Sequence, residues 1–114
     1  MTIMPPNTAH IRHQSLFCYP QPEPICLLDS PNWFIWLETA MTFRYFSDRR
    51  QRNIRGFGPL YMPISLRKEQ RRHHWYWYAY RRTHGTLHKR YAGKSDALTT
   101  LRLENMATEL NQVW

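Results

Sequence analysis

The chain has 114 residues, enough for one domain and too few for two, and its 42% apolar content with five Trp, seven Tyr and five Phe excludes a wholly disordered polymer. The formal charge of +8 is unevenly placed: Arg44 to Lys94 holds fourteen Lys and Arg against two acids, a net +12, while the remainder carries −4. The first 30 residues lack the uninterrupted apolar core of a secretory leader, and no apolar run nears the roughly 20 residues that span a bilayer, so a cytoplasmic protein without membrane insertion is expected, with Cys18 and Cys26 reduced.

Residues 1–28 carry five of the eight prolines (Pro5, Pro6, Pro20, Pro22, Pro24), with Pro31 at their border, and show no periodicity, which predicts an irregular leader ahead of one basic domain over 29–114. A capping residue before Pro31 and apolar Trp33, Trp36 and Leu37 on one face predict a short helix ending near Thr42. The β-branched and aromatic run Thr42 to Ser47 reads as a strand, Asp48 to Gly58 as a loop, and Leu60 to Arg72 as extended chain that Pro63 keeps out of a ladder at its start.

Two runs of strand formers, His73 to Arg82 and Leu87 to Gly93, flank Thr83-His84-Gly85-Thr86, where Gly85 supplies a positive φ for a type I′ turn. Leu103, Met106, Ala107, Leu110, Val113 and Trp114 then follow helical spacing, with Thr99 or Thr100 as cap. The expected fold class is α+β: a three-stranded antiparallel sheet backed by a C-terminal helix, with a short N-terminal helix and strand.

Counting outward from His84-Gly85 pairs Thr83 with Thr86, Arg82 with Leu87, Tyr80 with Lys89 and Tyr78 with Tyr91. One hairpin face is then Tyr76, Tyr78, Tyr80, Arg82, Leu87, Lys89 and Tyr91, and the other is Trp75, Trp77, Ala79, Arg81, His88, Arg90 and Ala92. Large Trp77 beside small Ala79 and Ala92 suits a helix above, which leaves the tyrosine face to solvent. An exposed aromatic face of this size marks an interaction surface. Arginine outnumbers lysine 13 to 3, which favours bidentate phosphate recognition over generic charge.

The expected function is therefore nucleic-acid binding without catalysis, with duplex DNA favoured over RNA, through Arg67, Lys68, Arg71, Tyr76, Tyr78, Tyr80, Arg81, Arg82, Lys89, Arg90, Tyr91 and Lys94. Arg67 and Arg82 are candidates for guanine edges in a major groove. The alternative is a protein-interaction module, or a remnant of a larger regulator, whose aromatic face docks an acidic partner or a second copy.

The order Trp36-Leu37, Arg67-Lys68-Glu69, Trp75 to Arg82, Gly85, Lys89-Arg90-Tyr91, Gly93-Lys94-Ser95, Leu98-Thr99 and Arg102-Leu103-Glu104 resembles a short module at the front of some large bacterial LuxR-type transcriptional regulators, over residues 29–112. The hairpin, Gly-Lys-Ser and helix order is more loosely similar to the arm-type, AP2-like DNA-binding domain of tyrosine recombinases, in which a three-stranded sheet enters the major groove. That likeness implies DNA contacts from Arg67, Arg81 or Arg82, Lys89 and Tyr91, in transcription regulation or a mobile-element setting. Ala92 departs from the module, which often has a larger aliphatic residue there. The ATPase, helix-turn-helix or recombinase domain normally attached does not follow Trp114, which suggests a stand-alone product or a remnant.

His10, His13, Cys18 and Cys26 offer four soft ligands without the close Cys and His pairs of zinc sites, so no metal is expected. Acids are scarce where histidines cluster, and the four glycines form no phosphate-cradling loop. No enzymatic activity, cofactor or small-molecule substrate is expected.

Overall fold

A computed structural model of the protein describes residues 9–53 and 55–112. The chain opens with strand β1, Ala9–Arg12, and strand β2, Ser15–Cys18, paired antiparallel from Ala9↔Cys18 to Arg12↔Ser15. Their turn is His13-Gln14, both left-handed at φ 51° and 64° without a glycine. Strand β3, Cys26–Leu27, adds to β2.

Helix α1, Pro31–Thr39, begins on Ser30, whose hydroxyl accepts the Trp33 N–H at 3.3 Å, with Pro31 in the first turn where its missing N–H costs nothing. Strand β4, Thr42–Tyr45, follows, and then a two-stranded ribbon of β5, Arg50–Asn53, and β6, Gly56–Leu60. Strands β7, Ile64–Arg71, β8, His74–Thr83, and β9, Thr86–Gly93, make an antiparallel meander. A 3₁₀ turn at Ser95–Ala97 leads to helix α2, Thr100–Asn111, capped by the Thr99 hydroxyl on the Arg102 N–H at 3.2 Å.

The main sheet runs β3-β2-β1-β4-β7-β8-β9, antiparallel throughout except for β1 beside β4. This corrects the expected three-stranded sheet to seven strands of mixed direction plus a separate two-stranded ribbon. The reason is edge protection. A meander ending at β7 would leave an open ladder edge; β4 covers it with four paired residues, and β1 covers the far edge of β4. Two further expectations change with it. Residues 9–28 form three strands rather than an irregular leader, and the predicted loop from Asp48 to Gly58 holds β5 and most of β6. Pro5, Pro6, Val113 and Trp114, which entered the sequence reading, lie outside the described residues.

Both helices cover one sheet face. Ile11, Leu16, Phe43, Ile64, Leu66, Trp77, Ala79 and Ala92 meet Trp33, Leu37, Leu98, Leu103 and Leu110, all without solvent exposure. Trp33 and Trp77 both pack on Phe43, with centroids 5.4 and 5.2 Å away, and each indole N–H is satisfied: Trp33 donates to Leu98 O at 2.7 Å, Trp77 to Ser95 Oγ at 2.9 Å. Gly93, at φ 120°, lets the chain turn under the helix layer, because a Cβ there would stand 3.1 Å from that of Ala97.

Helix α2 is tied to β4 through Glu104, which accepts hydrogen bonds from the hydroxyls of buried Tyr45 and Ser47. Burial, reinforced by the Glu104 carboxylate, pushes the Tyr45 phenol far above its ordinary value. A phenol raised on folding stabilises the native state fully below its unfolded pKa of about 10 and loses that stabilisation as pH climbs past it. Denaturant melts from about pH 9 to 11.5 should therefore show stability falling more steeply for the native protein than for Tyr45→Phe; equal slopes would refute this.

Candidate nucleic-acid interface

Strand parity settles which side chains remain on the other face. Because Ile64, Leu66, Trp77, Ala79 and Ala92 point under the helices, their neighbours Ser65, Arg67, Glu69 and Arg71 on β7, Tyr76, Tyr78, Tyr80 and Arg82 on β8, and Leu87, Lys89 and Tyr91 on β9 point away from them. No element packs on this side among the described residues.

The tyrosines form a contiguous platform. Tyr91 lies 6.0 Å from Tyr76 and 5.7 Å from Tyr78, centroid to centroid. Cations stand against each ring: Lys94 is 5.8 Å from Tyr76, Lys89 and Arg71 are 4.3 and 5.4 Å from Tyr78, and Lys89 and Arg67 are 5.5 and 5.8 Å from Tyr80. Glu69 sits in their midst and accepts from Arg71 at 2.7 Å, Lys89 at 3.1 Å and the Tyr80 hydroxyl. Partial burial alone would raise the Glu69 carboxyl, but the hydrogen bonds and charges of Lys89 and Arg71 outweigh it and hold the group below its ordinary value. Glu69 thus stays ionised and orders two cations and a ring, leaving the face with Arg67, Arg71, Arg82, Lys89 and Lys94 against one carboxylate.

The platform extends beyond the meander. Across β2, β1 and β4, His10 stacks on Phe17 with centroids 5.5 Å apart, and Arg12 lies 3.7 Å and Arg44 5.5 Å from the Phe46 ring. The register places Phe17, His10, Arg44, Ser65, Tyr80 and Lys89 in one row across six strands. Ser65 is the small residue of that row. Two adjoining depressions of ≈ 310 and ≈ 350 Å³ open beside it and share Ser65, Tyr80, Arg82 and Leu87, with Arg44 lining one and Arg67 the other.

Of the twelve residues the sequence singled out, Arg67, Arg71, Tyr76, Tyr78, Tyr80, Arg82, Lys89, Tyr91 and Lys94 gather on or at the rim of this face. Lys68, Arg81 and Arg90 are on the helix side. The Lys68 ammonium donates to Leu37 O at 2.6 Å and Glu38 O at 3.0 Å, closing the end of α1, and burial lowers its pKa. Arg81 likewise donates to Leu110 O at 2.8 Å near the end of α2, and Arg90 to Lys89 O at 2.9 Å. Sequence reasoning missed His10, Arg12, Phe17, Arg44, Phe46 and Ser65. The alternation of Arg44 and Phe46 with buried Phe43 and Tyr45 was the available signal for two of them.

A larger depression of ≈ 830 Å³ lies elsewhere, between β5 and the end of α2, lined in part by Arg49, Arg50, Arg52 and Tyr61. Two of its arginines are already engaged: Arg49 by Thr108 at 3.2 Å and Glu104 at 3.7 Å, and Arg50 by Gly58 O at 3.4 Å. Nothing comparable to the tyrosine platform adjoins it. Among the described residues no group of three or more His, Cys, Asp or Glu is placed to hold a metal ion, and no helix is long and apolar enough to cross a membrane.

Fold and site define a class, a basic mixed-sheet protein with helices on one face and an aromatic, cation-lined platform on the other. Comparison adds no family to it: no protein-family model matches the chain, and neither does a curated protein or a solved structure.

Proposed function

We propose that the protein is a nucleic-acid-binding module whose open sheet face is the contact surface. The observation that carries this reading is the pairing of cations with ring faces on β7, β8 and β9, where four tyrosines sit among five Lys and Arg side chains. Nucleic acid presents both complements at once, phosphates at regular spacing and flat apolar bases. Lys68, Arg81 and Arg90 are assigned to structure, because their donors are spent on helix ends and the edge strand.

Salt dependence tests the reading. If the five cations of the face each meet a phosphate, the logarithm of the binding constant should fall with the logarithm of salt with a slope of about −3.5 on a single strand or −4.5 on a duplex. The double variant Arg67→Ala/Lys89→Ala should lose about 1.4 to 1.8 of that slope while melting close to the parent. Absence of binding to any nucleic acid at 50 mM salt overturns the proposal and favours an acidic protein partner for the same face.

A further inference from the structure

Given a nucleic-acid-binding face, we infer that its ligand is single-stranded, running across the strands along the Phe17 to Lys89 row with one base seated in the depression at Ser65. Three observations converge on this. The first is width. Seven strands span about 29 Å at 4.8 Å per strand, whereas the major groove is about 12 Å wide, so the face cannot enter a duplex as a two- or three-stranded ribbon does. The tyrosines are also not on a narrow tip, since Tyr78 is flanked in register by Arg67 on β7 and Tyr91 on β9.

The second is the chemistry of the platform. A duplex shows a protein its phosphates and base edges, and its base faces are buried in the stack. Ring faces with cations beside them are matched only by unstacked bases, which a single strand supplies at no cost in pairing. The third is shape. The row from Phe17 to Lys89 covers five strand spacings, about 24 Å, or about seven nucleotides at stacked spacing and fewer when splayed. Ser65 interrupts it with a hollow bounded by the Tyr80 ring, Leu87 and the guanidinium-bearing Arg44, Arg67 and Arg82, which pairs an apolar wall for a base with cations for its flanking phosphates.

The test is an anisotropy titration of the full chain with a labelled 12-nucleotide oligothymidylate, the matching oligouridylate and a 12-base-pair mixed duplex, for the parent, Ser65→Phe, Tyr80→Ala and Tyr80→Phe. The expected result is binding of one or both single strands at least about tenfold tighter than the duplex, the two strands telling DNA from RNA. Ser65→Phe, which fills the hollow, and Tyr80→Ala should each weaken single-strand binding about tenfold with an unchanged melt, whereas Tyr80→Phe, which keeps the ring, should bind like the parent. Equal or tighter duplex binding, or a Ser65→Phe protein that binds single strands as the parent does, overturns the single-strand inference and leaves the nucleic-acid reading standing. No binding to any of the three overturns both.

Discussion

Trp77→Ala should destabilise the protein by about 3 to 5 kcal/mol, a large part of the 5 to 15 kcal/mol that holds a domain of this kind together. Trp77 has no exposed surface, packs on Phe43, carries the Lys68 ammonium 5.2 Å above its ring and donates to Ser95. Truncation opens a cavity under both helices and orphans these partners. Its neighbour Tyr78 faces the other way, against Tyr91 and Lys89 on the open platform. Tyr78→Ala should therefore cost no more than the about 0.2 to 1 kcal/mol of a cross-strand pair, yet weaken nucleic-acid binding. Urea melts and anisotropy on the two variants give opposite patterns if the faces are as described. A folded Trp77→Ala protein that no longer binds, beside an unfolded Tyr78→Ala protein, would reverse them.

How legible this was depends on the range of the interactions concerned. The β8–β9 hairpin follows from local turn chemistry: His84 and Gly85 adopt φ 50° and 81°, and the predicted pairs from Thr83↔Thr86 to Tyr78↔Tyr91 are all present. Counting one step further fails, because Trp77 pairs with Gly93 and Ala92 becomes an extra bulged residue that stays buried beside Trp77. Both helices are equally local, set by Ser30-Pro31 and Thr99.

The strands before α1 escaped notice for physical reasons. Their turn is made by His13 and Gln14, residues with no special tolerance for positive φ, so no turn signal marks the hairpin. The β1 to β4 pairing is parallel across some thirty residues, and no local pattern encodes such a contact. The same omission biased the site. With only three strands in view the face looked narrow enough for a groove; with seven it is a platform. Lys68 was misplaced despite an available signal, since it shares parity with Ile64 and Leu66, and a lysine among buried positions on one strand is most economically a helix-end cap.

The second large effect is expected at Asn111, which is buried to 2% exposure at the end of α2 and makes five hydrogen bonds. Its carboxamide oxygen accepts from the Met62 N–H at 2.9 Å and Gln51 Nε2 at 3.2 Å, its nitrogen donates to Met62 O at 3.1 Å and Ala107 O at 2.8 Å, and its own carbonyl accepts from Gln51 Nε2 at 3.4 Å. The β5–β6 ribbon touches the rest of the fold at few other named points, chiefly Tyr61 N–H to Arg49 O within its own base and Arg49 to Thr108. Asn111→Leu keeps side-chain volume but removes both amide groups, which leaves the Met62 N–H and carbonyl beside an apolar surface at about 1 to 3 kcal/mol for each group not rescued by water. Because the ribbon can open without unfolding the seven-stranded sheet, that energy should appear first as local release. Trypsin at limiting concentration should cut the Asn111→Leu protein in the stretch containing Arg50, Arg52 and Arg55 many times faster than the parent, with the meander still protected. If cleavage there is unchanged, the ribbon is held by something other than Asn111. If the meander is lost with it, the ribbon belongs to the same cooperative unit as the platform, and substitutions in β5 and β6 should then alter binding at a distance.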